Sequence, residues 1–386
     1  MKILMVSMFS SHFFNWTKQL EDEGHEIYWI DVYDANVYVE KIDFVHQTVG
    51  WRNRIKYPGR YKIKEKFPFL YNFINKFNQR KLGDVFEKKL KEIQPDIVQT
   101  FEMFSSSIPL LEVMEKYPRI PWVYSIWGND LFYFQKEKKD EEKIRRVLAR
   151  VNYLFADCKR DLILAEKLGY KNNFLGVYPT GGGYDFTRYD YYIKEPEKRN
   201  IILIKGYQHT FGRCNVILEA IGKIRALLHD YNVVVFGANK EVIEFAKKKR
   251  LLDWKNFRIY EQVSHERVLE LMGKARIYIG NSVSDGMPNT LLEAIIMGAY
   301  PIQSNPGGVT EEIIEDGTNG FLIKNPEDAN EIAASLNFAL THPEIIENAL
   351  DYNFKFIKPK LERNEVRANV LQQYRVLEEQ IKKDHC

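Results

Sequence analysis

Two segments about 200 residues apart begin alike, and their shared order of strand, loop, helix and strand constrains this chain more than any other feature of its sequence. The first runs from an apolar Lys2 to Val6 through a turn-rich Ser7 to Ser11 and a helical Asn15 to Glu23 to a strand at Ile27 to Ile30. The second runs from Ile201 to Ile204 through Gly206 to Gly212 and a helical Asn215 to Leu228 to a strand at Val233 to Phe236. A strand that returns to its sheet after a helix lies parallel to the first, with a right-handed crossover. The repetition predicts an α/β chain of two doubly wound, Rossmann-like domains facing across a cleft. At 386 residues the chain is long enough for two cores. The expected domains are 1–190 and 196–361, joined where Tyr184 to Asn200 loses apolar periodicity. A last helix of about 362–386, with Val366, Val370, Leu371, Tyr374 and Leu377 as its apolar stripe, is expected to pack back on the first domain.

Ligands of such sheets bind outside the carboxyl ends of the strands, so function is sought in the loops that follow them. Of these, residues 278–328 are the most informative: a strand, an acidic loop, a helix from about Thr290, a stop at Gly298, a short strand, a Gly-rich turn and a second helix from Val309. Asp285 in the loop and Glu293 in the first helical turn are spaced so that both can reach one mouth. SDGMPNTLLEA and PGGVTEEIIEDGTNGFLI resemble the signature of the family-4 retaining glycosyltransferases of GT-B fold, glycosyl transferases group 1. ILIKGYQ followed by GRCNVILEAI resembles that family's strand, phosphate loop and helix; PDIVQT, WGND and GHEIYWI resemble its first-domain landmarks. The match is specific over 200–335 and weaker over 1–190. Four positions depart from the family pattern: Asp285 stands for its first glutamate, Trp127 for a histidine, Tyr207 for an arginine, and Gly212, followed by Arg213, for a lysine.

The resemblance implies a retaining, metal-independent transferase that moves a sugar from a nucleotide sugar, UDP- or GDP-linked, to a glycan or lipid-linked acceptor in polysaccharide or surface glycan biosynthesis. No cofactor is implied beyond that donor. Glu293 would accept hydrogen bonds from the ribose hydroxyls. Asp285 would hold hydroxyls of the transferred sugar, wrapped by Gly286, Met287, Pro288, Asn289 and Thr290. The leaving diphosphate needs positive charge, and the chain offers neither a D-x-D nor a close His pair for a metal. Arg213, Lys205, the backbone of Gly206 and the amides of Gly307 to Val309 are the candidates to supply it. Other meanings stand beside these: Thr290 to Glu293 also reads as a capping box, Asp285 as an ordinary loop acid, and Arg213 as a solvated helix start. In the first domain His12, Trp127, Asn129 and Asp130 are candidate donor or acceptor contacts, with a core role for the indole as the alternative. Gly181 to Gly183 reads as a hinge, since no phosphate-loop pattern continues from it into a helix.

The charges, 56 basic against 53 acidic, nearly cancel, but the first 200 residues hold 33 against 28. Within them, residues 51–81 carry ten Lys or Arg, one acid (Glu65) and eight aromatics. That stretch is either a patch for an anionic membrane surface or lipid-linked diphosphate, or a solvated helix with core-facing aromatics; nucleic acid is not the expected partner. Three separated cysteines, Cys158, Cys214 and Cys386, give no disulfide framework, and no stretch approaches a membrane span. The expected location is cytoplasmic, with peripheral attachment to the inner face of the membrane as an option. A nucleotide-sugar epimerase of the same fold type and a non-catalytic nucleotide-sugar-binding protein are the competing functions. A dehydrogenase is disfavoured, because no G-x-G-x-x-G follows either first strand.

Overall fold

The computed structural model describes residues 1–56 and 58–384; Tyr57, His385 and Cys386 lie outside them. Its contacts divide into two units, one made of Met1–Asp157, Asp161–Gly182 and Arg367–Cys386, the other of Cys158–Arg160 and Gly183–Val366.

The first unit holds a seven-stranded parallel sheet of β1 (Lys2–Ser7), β2 (Glu26–Asp31), β3 (His46–Thr48), β4 (Ile97–Phe101), β5 (Trp122–Ser125), β6 (Tyr153–Ala156) and β7 (Asn173–Val177). They lie in the order β3-β2-β1-β4-β5-β6-β7. Ile3 to Val6 and all of β4 are buried, the continuous apolar run of strands covered on both faces. The order reverses between β1 and β4, so this unit's ligand crevice lies beyond their carboxyl ends. The helix after β1, α1 (Ser11–Lys18), starts earlier than the apolar period suggests, because the Ser10 hydroxyl accepts the Phe13 amide at 3.2 Å as an N-cap. His12 therefore sits in a first helical turn instead of a loop. The last helix runs Arg363–Asp384, with Val370, Tyr374 and Leu377 fully buried. The Tyr374 hydroxyl accepts from Trp16 Nε1 at 3.2 Å and donates to Gln99 Oε1 at 2.6 Å, so both of its roles are filled inside this unit.

Residues 51–81 form α2 (Arg60–Lys66) and α3 (Pro68–Asn78). The expectation of core-facing aromatics fails here: Phe67, Phe69, Phe73 and Phe77 are exposed, and the buried side chains of α3 are Asn75 and Asn78. The Asn78 amide explains this orientation. It accepts the Ile55 N–H at 2.8 Å and donates to the Ile55 carbonyl at 2.9 Å, which draws the polar side of the helix inward.

The second unit repeats the plan with β8 (Ile201–Lys205), β9 (Asn232–Phe236), β10 (Phe257–Ile259), β11 (Ala275–Gly280), β12 (Tyr300–Ser304) and β13 (Phe321–Ile323), all parallel, in the order β10-β9-β8-β11-β12-β13. The reversal falls between β8 and β11, whose registers pair Ile204 with Ile279. Two local expectations are corrected. Tyr184 to Asn200 is no loose linker: it holds the helix Phe186–Asp190, buries Tyr184 and Tyr189, and belongs to the second unit. No helix follows Val309 directly; Pro306–Gly308 and Thr310–Glu312 are single 3₁₀ turns, because Gly307 and Gly308 take left-handed φ values of 66° and 87°.

Candidate functional site

At the reversal of the second sheet, β8 ends on Lys205 and β11 leads into Asn281 to Asp285. The Lys205 ammonium lies 3.8 Å from Asp285 Oδ2 and 4.8 Å from the centre of the Tyr207 ring. His209 is close enough to feel Lys205, Asp285 and Arg213, and burial first, then the Lys205 charge, holds its imidazole below the usual histidine value. A cation, a carboxylate and a neutral imidazole thus converge where sheets of this order bind ligands. His209 was not singled out in the sequence, since a lone histidine in a loop carries no pattern.

Gly206 acts by shape. A Cβ there would lie 2.7 Å from the Phe236 carbonyl and 2.8 Å from Ala238 backbone atoms. Its N–H donates to the Phe236 carbonyl at 2.8 Å, so the expectation of a phosphate-facing amide is not met. Gly206→Ala is expected to force β8 from β9 at this point and destabilise the chain by about 1 to 3 kcal/mol, the usual cost of overpacking, read as a lowered Tm.

The helix Cys214–Lys223 is also closed at its start. The amides of Cys214, Asn215 and Val216 donate to Tyr207 O (3.1 Å), Gln208 Oε1 (3.0 Å) and Arg213 O (3.3 Å). An open N-terminus that would receive phosphate is therefore absent at this helix. Arg213 is engaged as well: its Nε meets Glu327 Oε1, and its Nη1 donates to the carbonyls of His209, Thr210 and Gly212 at 3.1, 3.3 and 3.0 Å. Its Nε and Nη1 are thus held within the protein. Cys214 is no nucleophile, as burial pushes its thiol up to about 12.

The Asp285 loop is fixed from an unforeseen direction. Arg160, buried and assigned to this unit, donates from Nη1 to the carbonyls of Asp285 (2.8 Å) and Pro306 (2.9 Å). Glu312 in turn accepts the amides of Lys159 and Arg160 at 2.8 and 2.9 Å. At the Gly307 to Val309 turn, Gly308 N–H goes to Asn305 O at 3.4 Å, and Asn305 Oδ1 takes the amides of Thr310 and Glu311.

Glu293 does not cap its helix. The helix is Asn289–Ile296 with Pro288 as the capping position, and Thr290, two residues too deep for a box, accepts the Tyr278 hydroxyl at 2.9 Å. Glu293 Oε1 meets the Tyr189 hydroxyl at 3.0 Å and His265 Nε2 at 2.6 Å, while no described residue hydrogen-bonds Oε2. One oxygen is committed to the protein and the other is left as an acceptor. Burial and the Glu293 charge hold the Tyr189 hydroxyl far above its ordinary value, so it stays a donor. Gly286, Met287 and Pro288 are buried, and Asn289 Oδ1 accepts from Tyr184 at 2.9 Å.

In the first unit His12 and Trp127 come together, their rings 6.4 Å apart, with Gly181 beside His12 Nδ1 and Asn15. Trp127 is half-buried on Phe101 at 4.8 Å, which leaves part of the indole open; Asn129 is half-buried next to it. Asp130 turns inward, contrary to expectation. Its Oδ2 accepts from Met103 N (3.1 Å), Trp127 N (3.1 Å) and the Tyr124 hydroxyl (2.7 Å), and burial holds its carboxyl well above the usual range. It shapes the turn from within the fold.

Residues 187–355 match the family of glycosyl transferases group 1. A Campylobacter jejuni protein, the GalNAc-alpha-(1->4)-GalNAc-alpha-(1->3)-diNAcBac-PP-undecaprenol alpha-1,4-N-acetyl-D-galactosaminyltransferase, is 23% identical over 267 residues, 68% of this chain and 71% of that one. Among solved structures, sucrose-phosphate synthase from Thermosynechococcus elongatus superposes with a TM-score of 0.71 at 14% identity, covering 97% of this chain and 98% of that one. Anabaena HepE in complex with UDP gives 0.70 at 12% identity, covering 97% and 100%.

Proposed function

We propose that this chain, a group 1 glycosyltransferase of GT-B fold by its residues 187–355 and its two Rossmann-like units, transfers a sugar from a nucleotide sugar to a glycan or lipid-linked acceptor with retention at the anomeric carbon and without a metal ion. The observation that carries this reading is Lys205 beside Asp285 at the β8/β11 reversal, with Glu293 following on the next helix with Oε2 left as an acceptor. Lys205 supplies charge to the departing diphosphate, Glu293 Oε2 accepts from the ribose diol, and Asp285 accepts from hydroxyls of the transferred sugar. Arg160 keeps that loop at its station through two backbone carbonyls. The UDP in the Anabaena structure and the lipid-diphosphate acceptor in the Campylobacter protein's name support a pyrimidine donor and a lipid-linked acceptor.

The test is a panel of UDP- and GDP-sugars read for free nucleotide and for product. Release of nucleotide with transfer supports the proposal; interconversion of sugars would assign an epimerase, and binding without turnover a scaffold. Turnover is expected to persist in excess EDTA, and the anomeric coupling in the product's NMR spectrum is expected to match the donor's. Loss of activity with chelator and recovery with Mn²⁺ would overturn the metal-free assignment.

A further inference from the structure

We propose that α2 and α3 form a docking face for an anionic phospholipid bilayer. A surface helix ordinarily turns its apolar stripe to the core. In α3 this is reversed: Phe69, Phe73 and Phe77, spaced by one helical turn, are 85%, 57% and 66% exposed, and Phe67 at the junction with α2 is 61% exposed. The Phe73 and Phe77 rings touch edge to face at 5.4 Å, so the stripe is continuous. The orientation is anchored from the other side by the buried Asn75 and Asn78, and by the two hydrogen bonds of Asn78 to Ile55. An outward apolar stripe held by an inward polar clamp has been placed, and it calls for an apolar partner.

Charge decides which partner. Several cations of 51–81 are engaged within the protein: Arg52 on the Tyr33 carbonyl, Lys56 on Asn36, Arg60 on Tyr71, Arg80 on the Trp51 carbonyl. Lys62, Lys64, Lys66 and Lys76 are exposed and ion-pair with no described residue, and Glu65 is the single acid of the stretch. Residues 67–75 contain no charged residue at all. An uncharged aromatic stripe bordered by lysines suits an interface with apolar interior and anionic headgroups, where rings sink to the acyl boundary and ammonium groups stay at the surface. Nucleic acid would instead require cations running through the stacking surface. Among the described residues no helix is long and apolar enough to cross a membrane, so attachment would be peripheral. This inference does not depend on the transferase assignment.

The test is cosedimentation of the full chain with vesicles of phosphatidylcholine alone and of phosphatidylcholine with phosphatidylglycerol, at low and high salt. Wild type is expected to partition at least tenfold more to anionic vesicles at low salt and to lose most of that binding at high salt. A variant carrying Phe69→Ser, Phe73→Ser and Phe77→Ser is expected to lose binding at unchanged Tm, because these side chains are exposed. A variant with Lys62, Lys64, Lys66 and Lys76 changed to Ser is expected to lose the preference for anionic lipid. Wild type remaining in the supernatant with anionic vesicles, or aromatic-variant binding equal to wild type, would overturn the proposal. So would a stripe that instead mediates self-association or single-stranded RNA binding, shown by loss of the dimer in sizing or of the gel shift in the aromatic variant while vesicle binding persists.

Discussion

Lys205→Ala is expected to lower kcat/KM for the nucleotide sugar by about 10²- to 10³-fold, ~2.7 to 4 kcal/mol, the scale of removing one preorganised donor at developing charge. The end of β8 places this ammonium directly, and its 3.8 Å separation from Asp285 guides it without closing a tight ion pair. Arg213→Ala is expected to cost less, about tenfold, since Nε and Nη1 of its guanidinium already serve Glu327 and three carbonyls. Steady-state kinetics at saturating and limiting donor decide the order. A Lys205→Ala enzyme with wild-type kcat/KM would remove this residue from the chemistry, and a larger loss for Arg213→Ala would make Arg213 the main charge on the diphosphate.

Glu293→Gln is expected to weaken nucleotide binding by about 10- to 100-fold, the range of a hydrogen bond to a charged acceptor. The argument follows from the division of labour between its two oxygens. The amide carbonyl can take the Oε1 place opposite Tyr189 and His265, which forces the NH₂ group into the Oε2 place and puts a donor where the ligand met an acceptor. Because both protein partners keep their acceptor, Tm is expected to fall by little. Glu293→Ala, by contrast, strands the Tyr189 hydroxyl and is expected to lose about 1 to 3 kcal/mol of stability as well as affinity. Calorimetry with UDP and GDP, next to thermal melts of both variants, separates these effects. Unchanged affinity in Glu293→Gln would take the carboxylate out of the nucleotide site.

The two sheets and the positions of Asp285, Glu293 and Lys205 were legible because they rest on local pattern: apolar strands, a following loop, a helix period. What was not legible depends on where distant segments meet. Nothing at Tyr189 or His265 announces that both hold Glu293, and Arg160 lies far along the chain from the Asp285 carbonyl it grips. The count of aromatics in 51–81 carries no direction, so it could not tell inward from outward; the Asn78 clamp sets that direction. The phosphate-facing amide expected at Gly206 was misjudged for a similar reason. A glycine after a strand or in a turn advertises a free N–H, and only the neighbouring strand or loop reveals that the donor is already used, as Phe236 does for Gly206.

The buried Val370, Tyr374 and Leu377 complete the first unit's core from the end of the chain. On the ribosome, that unit's own sheet emerges first but stays open along this flank until the whole second unit has been made. Trp16 and Gln99 wait for the hydroxyl that joins them. A nascent chain thus carries an unfinished apolar surface through most of its synthesis, the kind of species that chaperones retain. Emergence of this late helix, and not of the first unit's sheet, becomes the moment at which that unit can resist a protease.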